Sequence, residues 1–240
     1  MRRAMVVARR EVRSLFEGPL AYLFLAAFTV ASLVTWRLSG LFDVGQATAR
    51  LFFQNLDWTL FILVPPLAMR QWAEEARSGT LELLMTWPVT LGEVVLGKFL
   101  SGAFLLLVAL GLTVPAAFML GTLGDLDPGP VLAGYFGAFL LGCAYLAACT
   151  FVSSFTKSQM AAFLASLVTC VALWLPGEGL LLGYLPPSLV EVGQSLGLGA
   201  RLRHFEGGFV RLSDVAYYLS FVCVLVPATA LSLGRLRDPS

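Results

Sequence analysis

Six stretches of this chain run uncharged, or nearly so, for long enough to cross a bilayer, and most of its charges fall in short clusters between them. A hydrocarbon core of about 30 Å needs roughly 20 apolar residues in a helix, and a charge at its centre costs at least about 2.5 kcal/mol, so charges mark the ends of spans. On that rule the pattern predicts spans at 18–36, 99–124, 128–156, 158–177 and 215–234. Another, at 52–69, contains Asp57 near its start. Trp58 beside it is an interfacial anchor by type, which places that carboxylate at the membrane edge.

Three other segments have their own patterns. From Arg3 to Phe16, the apolar Met5, Ala8, Val12, Leu15 and Phe16 recur at helical spacing, with Arg2, Arg9, Arg10, Arg13 and Glu17 on the other side. This predicts a helix lying in the membrane interface, its arginines meeting lipid phosphates. Residues 70–93 gather Arg70, Glu74, Glu75, Arg77, Glu82 and Glu93 between the second and third spans. Gly79 interrupts them, so Gln71–Arg77 and Thr80–Met85 read as two short helices. Pro88 ends the second, and Thr90-Leu91-Gly92-Glu93 has the form of a capping box that opens the next span. In the loop 178–213, residues 179–190 are apolar but too short to span, and Pro186-Pro187 breaks them. A re-entrant or interfacial hairpin, or short outer helices, is expected there. The fold class is therefore all-α integral membrane: one domain over 1–240, with six spans, an interfacial segment 1–17, a charged segment 70–93 and an outer loop 178–213.

Composition agrees. Of 240 residues, 58% are hydrophobic and 13% charged, against about a quarter charged in soluble domains. A net charge of +1 excludes the concentrated basic face that a nucleic-acid partner wants. An even number of spans puts both termini on one side. Arg2, Arg3, Arg9, Arg10, Arg13, Arg70, Arg77, Lys98, Lys157, Arg235 and Arg237 share that side, and the positive-inside bias makes it cytoplasmic. The basic start and first apolar run imitate a secretory leader. The basic region is too long, however, the run is of full spanning length, and Ala47-Thr48-Ala49 lies far past its end, so it reads as an uncleaved span. Cys143, Cys149, Cys170 and Cys223 fall inside apolar runs without ligand spacing and read as small buried hydrophobes.

Candidate chemistry is sparse. Gly92 to Lys98 matches the spacing G-x-x-x-x-G-K, but Phe99 stands where Ser or Thr would hold Mg²⁺, and a capped helix replaces the required strand. His204, the single histidine, has Arg203 and Glu206 nearby but no second ligand or nucleophile, and reads as structural or solvated. Ser153 and Ser154 lack a histidine on their side of the membrane. Asp57 alone interrupts a span, so ion coupling through buried carboxylates lacks its usual equipment. Gly134, Ala138 and Gly142 form a small-residue stripe for helix packing, within the chain or against a partner subunit. Pro65-Pro66, Pro115 and Pro227 fall inside spans and would kink or locally open them.

The run from Pro66 to Leu84, with its Glu-Glu-x-x-x-Gly-Thr-x-Glu block, followed by Trp87-Pro88-Val89-Thr90 and Val95-Leu96-Gly97-Lys98, resembles the cytoplasmic signature of ABC-2 type transporter permeases. Residues 8–16 and 202–220 are similar to the connecting helix and last outer loop of the branch associated with gliding motility and multicopper-enzyme maturation. The resemblance implies a six-span permease subunit of the bacterial plasma (inner) membrane with cytoplasmic termini. It implies no ATPase activity or cofactor in this chain, ATP and Mg being bound by two copies of a separate ABC ATPase. It also implies pairing with a second permease copy, or with a homologous permease bearing an outer domain. Glu74, Glu75, Arg77, Gly79, Thr80 and Glu82 would then form the ATPase-coupling interface, around a Gly hinge that passes ATPase closure to the spans. The same resemblance admits a different output, mechanotransmission: driving an extracytoplasmic partner through 178–213 without moving a solute.

Overall fold

A computed structural model describes residues 2–38, 50–78, 90–123, 127–156, 158–177 and 197–235, with Gly193 and Ser195. Eight α-helices follow in order among the described residues: α1 (Arg2–Glu17), α2 (Pro19–Leu38), α3 (Arg50–Ser78), α4 (Leu91–Leu123), α5 (Pro128–Ser153), α6 (Gln159–Trp174, extended by a 3₁₀ turn Leu175–Gly177), α7 (Leu198–Glu206) and α8 (Leu212–Arg235). Six of them, α2, α3, α4, α5, α6 and α8, are long and apolar enough to cross a membrane. These are the six spans read from the sequence. The chain is a multi-pass all-α membrane protein.

Its centre is α5. Within the spanning window 72% of α5 is buried and 61% of α3, against 28% of α6 and 17% of α8. Helices α3 and α5 therefore form the interior, while α2, α6 and α8 turn most of their surface outward. Lipid tails are as apolar as leucine, so hydrophobicity alone does not hold such helices together; close packing and buried polar contacts do. The small-residue stripe serves that end within the chain. A Cβ on Gly134 would fall 2.4 Å from the Phe53 ring of α3, and one on Gly142 3.3 Å from Leu60. Ala138 is fully buried between them. Around Gly134, Trp36, Phe52, Phe53 and Tyr135 interlock edge to face, an arrangement that adds about 0.5–1.5 kcal/mol per pair beyond simple burial.

Local signals decide where the helices begin. The Thr90 amide donates to Glu93 Oε2 at 3.2 Å, and the Glu93 amide to Thr90 Oγ1 at 3.4 Å, which is the reciprocal capping box expected at the head of α4. Asp127 caps α5 through the Gly129 amide at 3.0 Å, with Pro128 in the first turn. The Gly92–Lys98 stretch lies wholly inside α4, without the strand-to-helix loop that a phosphate loop needs. Pro65, Pro66, Pro115 and Pro227 all sit inside continuous helices.

Two expectations need correction. Residues 71–77 are not a separate short helix: α3 runs unbroken from Arg50 to Ser78, 29 residues. And α1 packs against protein, on α4. Its inward face is Ala4 and Ala8; Met5, also on the apolar side, is 65% exposed. A Cβ on Gly97 of α4 would meet Val7 at 2.6 Å, so the absence of a side chain there lets α1 lie directly on α4.

Candidate functional site

The polar residues of the bundle gather at its two ends, one carrying α1 (proximal) and one carrying α7 (distal).

At the proximal end α1, α3 and α4 meet. Lys98 of α4 is buried, with a side chain 5% exposed, and its ammonium pairs with Glu11 of α1 at 3.2 Å. The same nitrogen lies 5.4 Å from the centroid of the Trp72 ring on α3, within cation–π range. Gln71 packs beside Gly102 of α4. The sequence marked Lys98 only as one more positive charge; its partner was missed because nothing in a local pattern links α1 to α4. Glu74, Glu75 and Arg77 ride on the last turns of α3, just past this clamp. Gly79, Thr80 and Glu82 lie outside the described residues, as do the side chains of Glu74, Glu75 and Arg77 and the second short helix at 80–85. Ser154 and Ser232 join the same ends of α5 and α8 through a 2.7 Å hydroxyl contact.

At the distal end the short helix α7 is sunk into the bundle. Leu198, Leu202 and Phe205 are fully buried, and the Tyr218 hydroxyl of α8 donates to the Leu198 carbonyl at 2.8 Å. Asp57, expected beside an interfacial anchor, faces protein rather than water. It is buried at 5% exposure and accepts the Tyr145 hydroxyl at 3.3 Å. A Cβ on Gly199 would fall 2.2 Å from its Oδ2, so the carboxylate rests on the first turn of α7, where the partial positive charge of the helix N-terminus favours it. The re-entrant signal in the sequence fell on 179–190, outside the described residues; the embedded helix that is described follows it.

The far end of α7 is held by charge. Glu206 is 4% exposed, with Oε2 3.7 Å from the Arg50 guanidinium, a Coulombic contact too long for a hydrogen bond. Burial pushes its carboxyl up to about 7, against the opposing influence of a hydrogen bond from Gln54 and the charges of Arg50 and Arg203. His204, expected to lack partners, has two. Its Nδ1 lies 2.9 Å from Asp214 Oδ2 and its Nε2 3.5 Å from Arg211. An arginine can only donate, so Nε2 accepts and Nδ1–H donates to Asp214. The other oxygen of Asp214 takes Arg201 at 2.8 Å, and that guanidinium stacks 3.8 Å over Tyr217. The histidine is thus a joint between α7 and α8. Among the described residues no group of His, Cys, Asp and Glu could hold a metal ion.

Cys149 and Cys170 are buried side by side across α5 and α6, Sγ to Sγ 3.2 Å. Cys223 departs from the expectation of burial and is exposed on α8.

Residues 60–233, from the middle of α3 almost to the end of α8, match the family described as ABC-2 family transporter protein. The chain belongs to that family. It is also similar to a protein of Pseudomonas aeruginosa named "Probable ABC transporter permease protein NosY", 35% identical over 95 residues. The similarity covers 37% of this chain and 34% of that protein, so the chain matches about a third of the length of that relative. For an ABC-2 family member, the matched region takes in Lys98, α7, His204, Glu206 and Asp214 and the whole of the charged 70–93 segment, while Arg50 and Asp57 of α3 precede it. The N-terminal helix α1 and its Glu11 lie outside it.

Proposed function

We propose that this ABC-2 family chain is the permease subunit of an ATP-driven transporter of the bacterial plasma membrane, its termini cytoplasmic. Separate ABC ATPase subunits, two per transporter, bind ATP and Mg and dock on 70–93. A second copy, or a homologous permease with an outer domain, completes the pathway. Glu74, Glu75, Arg77, Gly79, Thr80 and Glu82 form the docking interface.

The observation that carries this reading is the continuity of α3. At about 1.5 Å per residue, its 29 residues make a rod of roughly 43 Å. One end bears Glu74 and Glu75; the other bears Arg50, against Glu206 of α7, with Asp57 between. A push at the acidic end, braced by the Lys98–Glu11 clamp, moves the distal helix as one body, which is how a local contact becomes a displacement across a membrane.

The test is to purify the chain with the ATPase it captures and reverse both charges, Glu74→Lys with Glu75→Lys. The expected result is an ATPase that still hydrolyses ATP but no longer responds to the permease. Unchanged coupling in that double variant would remove the docking role.

The second reading, mechanotransmission to an extracytoplasmic partner without solute movement, is favoured by one feature: the rod ends on an embedded helix fastened to α8 through His204 and Asp214. ATP-dependent uptake or release of any solute in proteoliposomes would exclude it.

A further inference from the structure

Beneath the elbow where α1 turns into α2 lies a cavity of about 640 Å³, within the usual range of ligand pockets. It is amphipathic along the membrane normal. Glu11, Ser14, Gln71 and Lys98 line one end, and Phe24, Ala27, Leu63 and Leu105 the other. Along α3 the lining descends from Gln71 to Leu63, about 12 Å at 1.5 Å per residue. The polar end therefore lies at headgroup level and the apolar end in the hydrocarbon. Leu20 and Leu23, also in the lining, are 38% and 65% exposed, so the cavity is open toward lipid.

We propose that this cavity binds one membrane phospholipid with a primary-amine headgroup, its acyl chain lying between α2 and α3. Two observations select the headgroup. Lys98 and Glu11 are already paired, so the polar end has no net charge to offer a simple anion, which would meet the Glu11 carboxylate. A zwitterion can turn its phosphate toward Lys98 and its ammonium toward Glu11. Finally, Gln71 Oε1 is buried and has no hydrogen-bond partner among the described residues; leaving such an acceptor unsatisfied is costly. A primary ammonium carries three N–H donors and can satisfy it once the Gln71 amide turns into the cavity it lines, whereas a trimethylammonium carries none. The site stands independently of the ATPase-docking proposal, since it rests on the cavity and its polar lining alone.

The full chain, purified in mild detergent and stripped of lipid, would be mixed with phosphatidylethanolamine, phosphatidylcholine or phosphatidylglycerol, and bound lipid counted by native mass spectrometry. One phosphatidylethanolamine per chain is expected, held about tenfold more tightly than the other two, the scale of one hydrogen bond to a charged group. Gln71→Leu should abolish that preference. Ala27→Trp should remove the bound lipid altogether; Ala27 is exposed, so the lipid-free variant should unfold at the same temperature as the parent, which separates a filled cavity from a damaged fold. Equal retention of the three lipids, preference for phosphatidylglycerol, or a preference that survives both substitutions would overturn the assignment.

Discussion

Lys98 Nζ lies 3.2 Å from Glu11 Oε2, and the two residues are 87 positions apart. The lysine side chain is 5% exposed and the glutamate 27%, so the pair is unequal. Removing one partner of a buried pair costs about 3–5 kcal/mol when the survivor is left uncompensated. Lys98 keeps other contacts, the Trp72 ring among them, so Glu11→Gln should destabilise the protein by less than that full cost, about 1–2 kcal/mol, and Lys98→Met by less again, because Glu11 can hydrate. Denaturant unfolding of both single variants and the double variant in detergent measures the difference. Equal effects of the two substitutions would contradict the asymmetry.

Glu206 gives the fold a pH dependence. Its carboxyl is raised to about 7 from an ordinary 4.5, so between those values the folded state holds a proton that the unfolded state has released. Stability then falls as pH rises from about 4.5 to 7, and above that range the buried charge costs about 3 kcal/mol, at 1.36 kcal/mol per pH unit. Glu206→Gln should flatten this slope and raise the unfolding temperature at pH 8, leaving it little changed at pH 4.5. Thermal scans across that range decide the matter; a slope that persists in the variant would show that another group is responsible.

The contact of Gly199 with Asp57 admits no side chain. Gly199→Ala should cost about 1–3 kcal/mol, as overpacking does, and Asp57→Ala in the same molecule should recover part of it. Residues in contact are non-additive in this way. An alanine at 199 that leaves the unfolding temperature untouched would show that α7 has room to shift.

The cysteines differ in access. A lipid-soluble maleimide should modify Cys223 in the folded protein and spare Cys149 and Cys170, which are fully buried. Intact-mass measurement before and after denaturation counts the adducts. Early labelling of Cys149 would mean that α5 and α6 separate readily.

What could be read without coordinates shares one physical origin. Span positions, the Thr90–Glu93 cap, the helical α1 and the helix through Gly92–Lys98 all follow from local chemistry. A bilayer sets the length of a charge-free run, and a helix N-terminus demands a cap within four residues. The charged 70–93 segment stood out for the same reason.

Which face of each span turns inward was another matter. Lipid and protein interior are about equally apolar, so a spanning helix shows little of the alternation that betrays a core face in water. Cys223 was turned the wrong way on that account, and the packing of Asp57 against Tyr145 and Gly199 was not foreseen. The pairings of Lys98 with Glu11, His204 with Asp214, and Gly134 with Phe53 join elements separated in sequence, and exist only because α5 packs at the centre with the others around it. The chain by itself determined the six helices long and apolar enough to cross a membrane that are found among the described residues, and where it carries charge. The tertiary structure decided which charges meet, because only packing brings side chains from different helices within hydrogen-bonding reach.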